Sequence, residues 1–254
     1  MVQIMMTVQY DGTNYSGWQR QKRENTIQTV IEESLSKILK TQIKIRGAGR
    51  TDAGVHALGQ VASFKGEIKM SLDILKKALN HLLPKDIRVI DLKEVEPDFH
   101  PQYSAKRKSY IYFICLDEEC SCFINRYVWH YPRKVDLKLM EYSLKLFKGT
   151  VDFTAFSGST DVKNKIRTVY NFSLQSFNEL CFMDMKVQGN FIKLRIEADG
   201  FLKYMVRNII GCIVEIGKGR LSSENIKEAL KSGKRPSSIQ TAPPNGLFLE
   251  RIVY

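Results

Sequence analysis

The residues best suited to chemistry lie in one glycine-rich stretch, Gly47 to Phe64, with the sequence GAGRTDAGVHALGQVASF. A single carboxylate, Asp52, lies within it, and Arg50 places a permanent positive charge two residues earlier. Three glycines near Asp52 allow the backbone to turn sharply and to come close to a ligand. A carboxylate beside a guanidinium is expected to stay ionised at neutral pH, so Asp52 is a candidate catalytic group.

The segments on both sides of this loop have the alternating pattern that is typical of strands. Gln42 to Arg46 alternates Ile43 and Ile45 with polar residues, and Gln60 to Phe64 alternates again. We therefore expect a sheet to hold both ends of the loop.

Two other interpretations of the loop compete with a catalytic one. Arg50-Thr51-Asp52 also fits an ordinary surface turn, in which Asp is favoured by turn chemistry. A phosphate-binding glycine loop is less well supported, because the glycines fall as G-x-G-x-x-x-x-G and match neither the dinucleotide fingerprint nor the P-loop ending. Spacing alone leaves the surface turn and the catalytic loop open.

Composition limits the class of protein. The 254 residues are 43% hydrophobic and 26% charged, enough for a real core in one large domain or two ordinary ones. Lys and Arg outnumber Asp and Glu by 39 to 27, which gives a net charge of +12. Such a charge favours a polyanionic partner, although it does not separate RNA from DNA or from an anionic membrane surface.

Membrane, secretory and metal-binding features are not visible in the sequence. No apolar run approaches the roughly 20 residues that cross a bilayer, and the first residues lack a signal-peptide pattern, so we expect a cytoplasmic protein. Cys115, Cys120 and Cys122 are spaced C-x4-C-x-C, unlike the paired C-x-x-C of zinc sites, and the four histidines are scattered. We predict reduced thiols and no metal site.

Periodicity predicts the order of elements in the first hundred residues. A strand at Met1 to Tyr10 precedes a helix at Ile27 to Lys40, for which Thr26 is the candidate N-cap. A second helix, Ser71 to Leu82, is expected to end before Pro84, and Ile87 to Val95 reads as a strand. With the strands around Asp52, the order is β-α-β-β-α-β, the ferredoxin-like order that many RNA-binding modules share.

The second half is predicted to mix strands and helices in the same way. Its expected elements are a strand at Ser109 to Cys115, a helix at Leu137 to Phe147, strands at Ile166 to Gln175, Leu180 to Val187 and Phe191 to Ala198, helices at Leu202 to Gly217 and Ser223 to Ser232, and a strand at Gly246 to Tyr254. We expect two domains, residues 1–104 with the Asp52 loop and residues 105–254.

Four segments together resemble one family. These segments are GRTDAGVHA followed by GQVASF, YDGTNYSGWQRQ with TIQ at Thr26 to Gln28, FLKYMVRNIIG, and APPNGLFLERIVY. They are similar to the TruA family of tRNA pseudouridine synthases, which act on the anticodon arm. The resemblance spans essentially the whole chain. It implies an α+β pseudouridine synthase fold, in which two ferredoxin-like α/β halves with mixed antiparallel sheets join across a central cleft. It also implies isomerisation of uridine to pseudouridine at tRNA positions 38, 39 and 40, without a cofactor, by a homodimer.

The resemblance assigns roles to four residues. Asp52 corresponds to the essential Asp, which acts as nucleophile or as base toward the ribose, and Arg50 to the loop Arg that helps to displace the target base. Arg207, in KYMVRN, corresponds to the Arg that pairs with the catalytic Asp. Tyr110, in KRKSYIYF, corresponds to the Tyr that contacts the base, although Tyr110 and Tyr112 also fit core positions of a strand.

The sequence departs from the family pattern at two places, and two other functions remain alternatives. Pro101-Gln102 replaces a small residue and an Arg, and Val151 replaces a common His, which puts RNA contacts in question more than the reaction. A non-catalytic RNA-binding protein with a ferredoxin-like sheet fits the charge and strand order, but GQVASF is not an RNP motif. A nucleotide-dependent enzyme is disfavoured because the phosphate-loop sequences are missing.

Overall fold

The computed structural model describes residues 1–158, 162–182 and 185–254. The chain divides into two compact units, of which the first contains Met1–Lys106 and Phe248–Tyr254 and the second contains Arg107–Leu247. The C-terminal strand therefore groups with the first unit. The division into domains 1–104 and 105–254 stays a prediction.

The described residues form strands and helices in the following chain order: β1 (Val2–Tyr10), α1 (Ile27–Leu39), β2 (Arg46–Gly47), β3 (His56–Gly66), α2 (Leu72–Leu82), β4 (Ile87–Val95), β5 (Arg107–Cys115), β6 (Trp129–His130), α3 (Leu137–Ser143), β7 (Gly149–Asp152), β8 (Ile166–Phe182), β9 (Met185–Ala198), α4 (Met205–Gly217), α5 (Ser223–Ser232) and β10 (Leu247–Val253). The fold is a mixed α+β arrangement, as the sequence predicted.

The sheet of the first unit has the strand order β4-β1-β3 with β2 on the outer side of β3. β1 pairs antiparallel with both β3 and β4, and β2 pairs antiparallel with β3 through Arg46 and Ser63. Together with the chain order β-α-β-β-α-β, this confirms the predicted ferredoxin-like arrangement. β10 runs parallel to the beginning of β3, where Phe248 faces His56.

Capping explains where the two helices of this unit begin and end. The Thr26 side chain accepts a hydrogen bond from the Thr29 amide and begins α1, as predicted. Ser71 does the same for α2 through the Ile74 amide. Leu83 is already extended because the residue before a proline disfavours the helical conformation, so Pro84 ends α2. Both helices bury their apolar stripes at Ile27, Ile31, Leu35, Leu75 and Leu79.

The predicted strand over Gln42 to Arg46 is wrong for its first four residues. Ile43 and Ile45 are buried, as the alternation required, but their amides bond to side chains of α1. The Ile43 amide donates to Ser36 Oγ and the Ile45 amide to Glu32 Oε1, each at 2.9 Å. The helix thus satisfies backbone groups that a neighbouring strand would otherwise pair, and only Arg46–Gly47 joins the sheet.

The second unit has the antiparallel order β5-β9-β8-β7, with β6 parallel to β5. Two long strands, β8 and β9, replace the three strands predicted between residues 166 and 198. The predicted strand Leu180 to Val187 is wrong, because it covers the end of β8 and the start of β9. Its residues 183–184 lie outside the described residues.

Helix α4 is the central element of the second unit, and nearly all of its residues are buried. It begins at Met205, three residues later than predicted. Gly211 faces the Gln240 carbonyl oxygen so closely that a side chain there would overlap it. The segment around Gln240 therefore lies directly against α4.

Candidate active site

Asp52 lies in the loop of residues 48–55, which connects β2 to β3. The loop's first residues are bonded to β3: the Ala48 amide donates to the Val61 carbonyl at 2.8 Å, and Gln60 Nε2 donates to the Gly49 carbonyl at 2.9 Å. The loop therefore leaves the sheet with its backbone already fixed. Glycine gives a backbone more conformational freedom, and in this loop hydrogen bonds restrict that freedom.

The segment after β1 fixes the other side of the loop. The Trp18 amide donates to the Thr51 carbonyl at 3.1 Å, and the Gly54 amide donates to the Tyr15 carbonyl at 3.3 Å. Gly17 allows this contact in two ways. Its φ is +88°, and a Cβ there would lie 2.6 Å from the Thr51 carbonyl oxygen. Thr51, just before Asp52, and Gly54, two residues after it, are thus both bonded to the segment that follows β1.

Thr51 and Asp52 differ in how far they are buried. Thr51 is buried, and its Oγ1 lies 2.8 Å from the Tyr10 hydroxyl in a hydrogen bond. Burial raises the pKa of Tyr10 well above its ordinary value, so this phenol stays protonated at neutral pH. Asp52 is half-buried. The buried Thr51 side chain therefore anchors the loop into the core immediately before the candidate catalytic carboxylate.

Arg50 is exposed, but its side chain is oriented by a chain of amides. Arg50 Nε donates to Gln19 Oε1 at 3.1 Å, and Gln19 Nε2 donates to Gln28 Oε1 at 2.8 Å. Gln28 is the second residue of α1, and its Nε2 also donates to the Ile45 carbonyl. The sequence interpretation gave no role to Gln19 or Gln28. Their only signal was that both lie in the segments that resemble the TruA family.

His56 closes the loop at its C-terminal end. The imidazole is buried, its Nδ1 lies 3.1 Å from both the Gly12 amide nitrogen and Asp11 Oδ1, and its ring stacks on Phe248 with centroids 4.6 Å apart. The scattered spacing of the histidines spoke only against metal binding and did not predict this structural role.

Tyr110 lies on β5 in the second unit and is 8% exposed. Its ring meets the edge of Phe201 at 5.0 Å and 88°. Tyr112, two residues on, is more fully buried, and its hydroxyl donates to the Pro243 carbonyl at 2.8 Å. The core interpretation therefore fits Tyr112. The role of Tyr110 toward a target base stays a prediction.

Arg207 lies in the first turn of α4 and is half-buried. Its Nε donates to the Ala242 carbonyl at 2.7 Å, while the Ala242 amide donates to the Arg207 carbonyl at 3.1 Å. Its guanidinium carbon lies 5.3 Å from the centre of the Tyr204 ring. These contacts fix the plane and the direction of the guanidinium before any ligand binds.

Asn208, the neighbour of Arg207, is a residue that sequence reasoning missed. It is buried, its Nδ2 donates to the Phe156 carbonyl at 2.8 Å, and its Oδ1 accepts from Thr241 Oγ1 at 2.7 Å. Thr241 precedes Ala242, so the same segment holds both Asn208 and Arg207. A polar residue on a largely buried helix was the available signal, because buried amides are normally hydrogen-bonded.

The structure places the four predicted site residues in two groups. Asp52 and Arg50 share one loop of the first unit, and Tyr110 and Arg207 belong to the second unit. Among the described residues, no group of three or more His, Cys, Asp or Glu side chains is arranged to hold a metal ion. Nor does any helix in the described part of the chain have the length and apolarity needed to cross a bilayer.

The family model for tRNA pseudouridine synthases matches residues 6–104 and 144–254. That match covers most of the chain and defines the class of protein as an isomerase acting on tRNA uridine. The tRNA pseudouridine synthase A of Thermodesulfovibrio yellowstonii is 72% identical, and the alignment covers all of both chains. The tRNA pseudouridine synthase A 1 of Protochlamydia amoebophila is 41% identical over 98% of this chain and 95% of that protein. The chain belongs to the TruA family.

Proposed function

We propose that this protein converts uridine to pseudouridine at positions 38, 39 and 40 of the tRNA anticodon stem-loop. The observation that carries the proposal is the Asp52 loop, in which the family's motif is present in full and the backbone on both sides of the carboxylate is hydrogen-bonded. A surface turn favoured only by turn chemistry gives no reason for this number of bonds to neighbouring segments.

The reaction needs few groups. The C1′–N1 glycosidic bond breaks, the uracil turns, and C1′ bonds to C5, while the C5 proton is lost and N1 gains a proton. Product and substrate are isomers, so no cofactor or water is consumed. One carboxylate is enough, and we assign to Asp52 the role of nucleophile at C1′ or of base toward the ribose. Glycoside hydrolysis usually requires a pair of carboxylates.

The other three residues serve the base and the carboxylate in this proposal. Tyr110 contacts the target uracil, which must leave the stacked anticodon arm before it can react. Arg50 helps to displace that base, and its link to Gln19 gives it a defined direction. Arg207 pairs with Asp52 and keeps it anionic in this proposal, and the bond from its Nε to the Ala242 carbonyl limits the freedom of its guanidinium.

We also propose that the protein acts as a homodimer in the cytoplasm. Its catalytic loop belongs to an N-terminal domain of residues 1–104, and residues 105–254 form a C-terminal domain.

The net charge of +12 supports a polyanionic substrate. A protein that meets RNA through phosphates releases about 0.7 to 0.9 counterions per contact, so affinity for tRNA should fall steeply with salt. A slope near zero argues against nucleic acid as the partner.

The decisive experiment uses unmodified tRNA transcripts. Purified protein is incubated with them in EDTA, and pseudouridine is mapped by carbodiimide-dependent stops in primer extension. We expect the stops to report pseudouridine at positions 38 to 40. Stops elsewhere overturn the site assignment while keeping the reaction class. Binding without any product supports the alternative of a non-catalytic RNA-binding protein.

A further inference from the structure

The face of the sheet that carries Tyr110 also carries two cations, one on β5 and one on β8. Residues two apart on a strand share a face, so Lys108 lies on the same face as Tyr110. Lys108 pairs with Ala198 of β9, and Ala198 pairs with Val169 of β8. Arg167 is two residues before Val169 and therefore belongs to this face too. Both cations are half-buried.

Arg167 is held by the backbone around it. Its Nη1 donates to the carbonyls of Asn164 and Ile166, at 3.1 and 2.6 Å. Its Nε lies over Gly200, where a Cβ would be 3.5 Å away. A guanidinium fixed in this way is preorganised for binding, because its side chain loses little conformational freedom when a ligand binds.

Lys108 and Arg167 act on each other electrostatically. Burial lowers the pKa of Lys108, the positive charge of Arg167 lowers it further, and Asp199 opposes both. Asp199 Oδ1 also accepts a hydrogen bond from the Thr168 amide at 3.0 Å. A lysine and an arginine on one face match the chemistry of a phosphate ligand, because both donate charged hydrogen bonds to phosphate oxygens.

We propose that Lys108 and Arg167 form a subsite for one phosphodiester group of the substrate RNA, next to Tyr110. The inference rests on the proposed function, because an RNA strand brings a phosphate to this face when its base contacts Tyr110. Phe201, which meets the Tyr110 ring edge-on at 5.0 Å, directly follows the Gly200 that lies under Arg167. The cations thus border the ring pair that the target base would contact.

Arg107 provides a matched control on the same strand. It is adjacent to Lys108 and points to the opposite face, where its guanidinium lies 4.8 Å from the Tyr170 ring and its Nη1 lies 3.2 Å from Glu197. Arg107→Gln and Lys108→Gln remove the same charge from neighbouring positions of β5. Only the second variant removes it from the face that carries Tyr110.

The test measures affinity for an anticodon stem-loop RNA over a range of salt concentrations. Lys108→Gln and Arg167→Gln should each reduce the magnitude of the slope of log affinity against log salt by about 0.7 to 0.9, the value of one phosphate contact. The double variant should lose no more than either single one, because the two residues share one phosphate. Arg107→Gln should keep the wild-type slope. Equal slopes for Lys108→Gln and Arg107→Gln overturn the subsite.

A second measurement keeps the test valid if Lys108→Gln does not fold. Lys108→Arg keeps the charge and should keep the slope. Stem-loops that carry one neutral methylphosphonate, scanned on both sides of the target uridine, probe the wild-type protein itself. At one position the neutral linkage should weaken wild-type binding and leave Lys108→Gln, where it folds, without further loss. If no position weakens the wild type, the subsite is wrong.

Pseudouridine formation on the same RNA separates this inference from the proposed function. Product formed by the wild type together with unchanged slopes in the variants rejects the subsite alone. Changed slopes without any product reject the proposed function and leave the subsite as an RNA contact.

Discussion

The Tyr10 hydroxyl lies 2.8 Å from Thr51 Oγ1 in a buried hydrogen bond, one residue before Asp52. Through this bond the first strand of the sheet reaches the loop that carries the candidate catalytic carboxylate. Because Thr51 is also bonded through its carbonyl to Trp18, both its side chain and its backbone are fixed. Asp52 follows a residue with little freedom to move.

Tyr10→Phe should lower the free energy of unfolding by about 1 to 2 kcal/mol, because one partner of a buried hydrogen bond is removed and the other remains. Thr51→Val should cost a similar amount. The double variant should cost clearly less than the sum, since no unpaired hydroxyl is left. Chemical denaturation of the four proteins measures this coupling, and strictly additive costs contradict it.

The same hydroxyl predicts a pH dependence of stability. Burial raises the pKa of Tyr10 in the folded protein, so its stabilising contribution is complete below the unfolded pKa, near 10, and is lost as pH rises above that value. In that range the unfolding free energy should fall by about 1.4 kcal/mol per pH unit for this group. Tyr10→Phe should make the fall shallower, whereas Tyr103→Phe, which changes an exposed phenol, should not.

Gly17→Ala tests whether contact with the Asp52 loop matters beyond backbone conformation. Gly17 and Gly219 both have positive φ, at +88° and +71°, but only Gly17 faces another segment, the Thr51 carbonyl. Gly219→Ala should cost about 1 to 2 kcal/mol for its left-handed backbone and keep full turnover. Gly17→Ala should cost more and should also reduce turnover, because Thr51 and Asp52 must move. Equal turnover in the two variants argues against a positioning role for Gly17.

Local signals predicted much of this fold. Thr26 and Pro84 marked helix ends correctly, because capping and proline act over a few residues. The strand predicted at Gln42 to Arg46 failed because burial alternated as in a strand while α1 satisfied the amides. Alternation reports which side chains are buried and not what their backbone pairs with.

The candidate site shows the same limit. Asp52, Arg50, Tyr110 and Arg207 were chosen from motifs, whereas the residues that support them were not. The links from Arg50 to Gln19 and from Arg207 to Ala242 join positions 31 and 35 residues apart. Long-range hydrogen bonds of this kind have no periodic signature, so a single sequence does not show them.

Asp52→Asn should abolish pseudouridine formation and leave tRNA affinity within a few-fold of wild type. The amide keeps the shape of the carboxylate but is neither an anionic nucleophile nor a useful base. Asp91→Asn is the matched control, since Asp91 is an exposed carboxylate on β4. Single-turnover kinetics at saturating protein separate chemistry from binding. A substantial rate in Asp52→Asn is incompatible with an essential role.

The pairing of Arg207 with Asp52 can be tested by the shape of the pH-rate profile. If Arg207 pairs with Asp52, its positive charge favours the ionised carboxylate, so Arg207→Ala should raise the apparent pKa of the acidic limb and reduce turnover most at low pH. Arg207→Lys keeps a charge but loses the Nε bond to Ala242, so it should show a smaller rise. An unchanged limb in Arg207→Ala rejects the pairing even if turnover falls.

Tyr110→Phe separates two roles of the ring: retained turnover means that contact with the base is enough, whereas lost turnover with intact affinity assigns proton transfer to the hydroxyl.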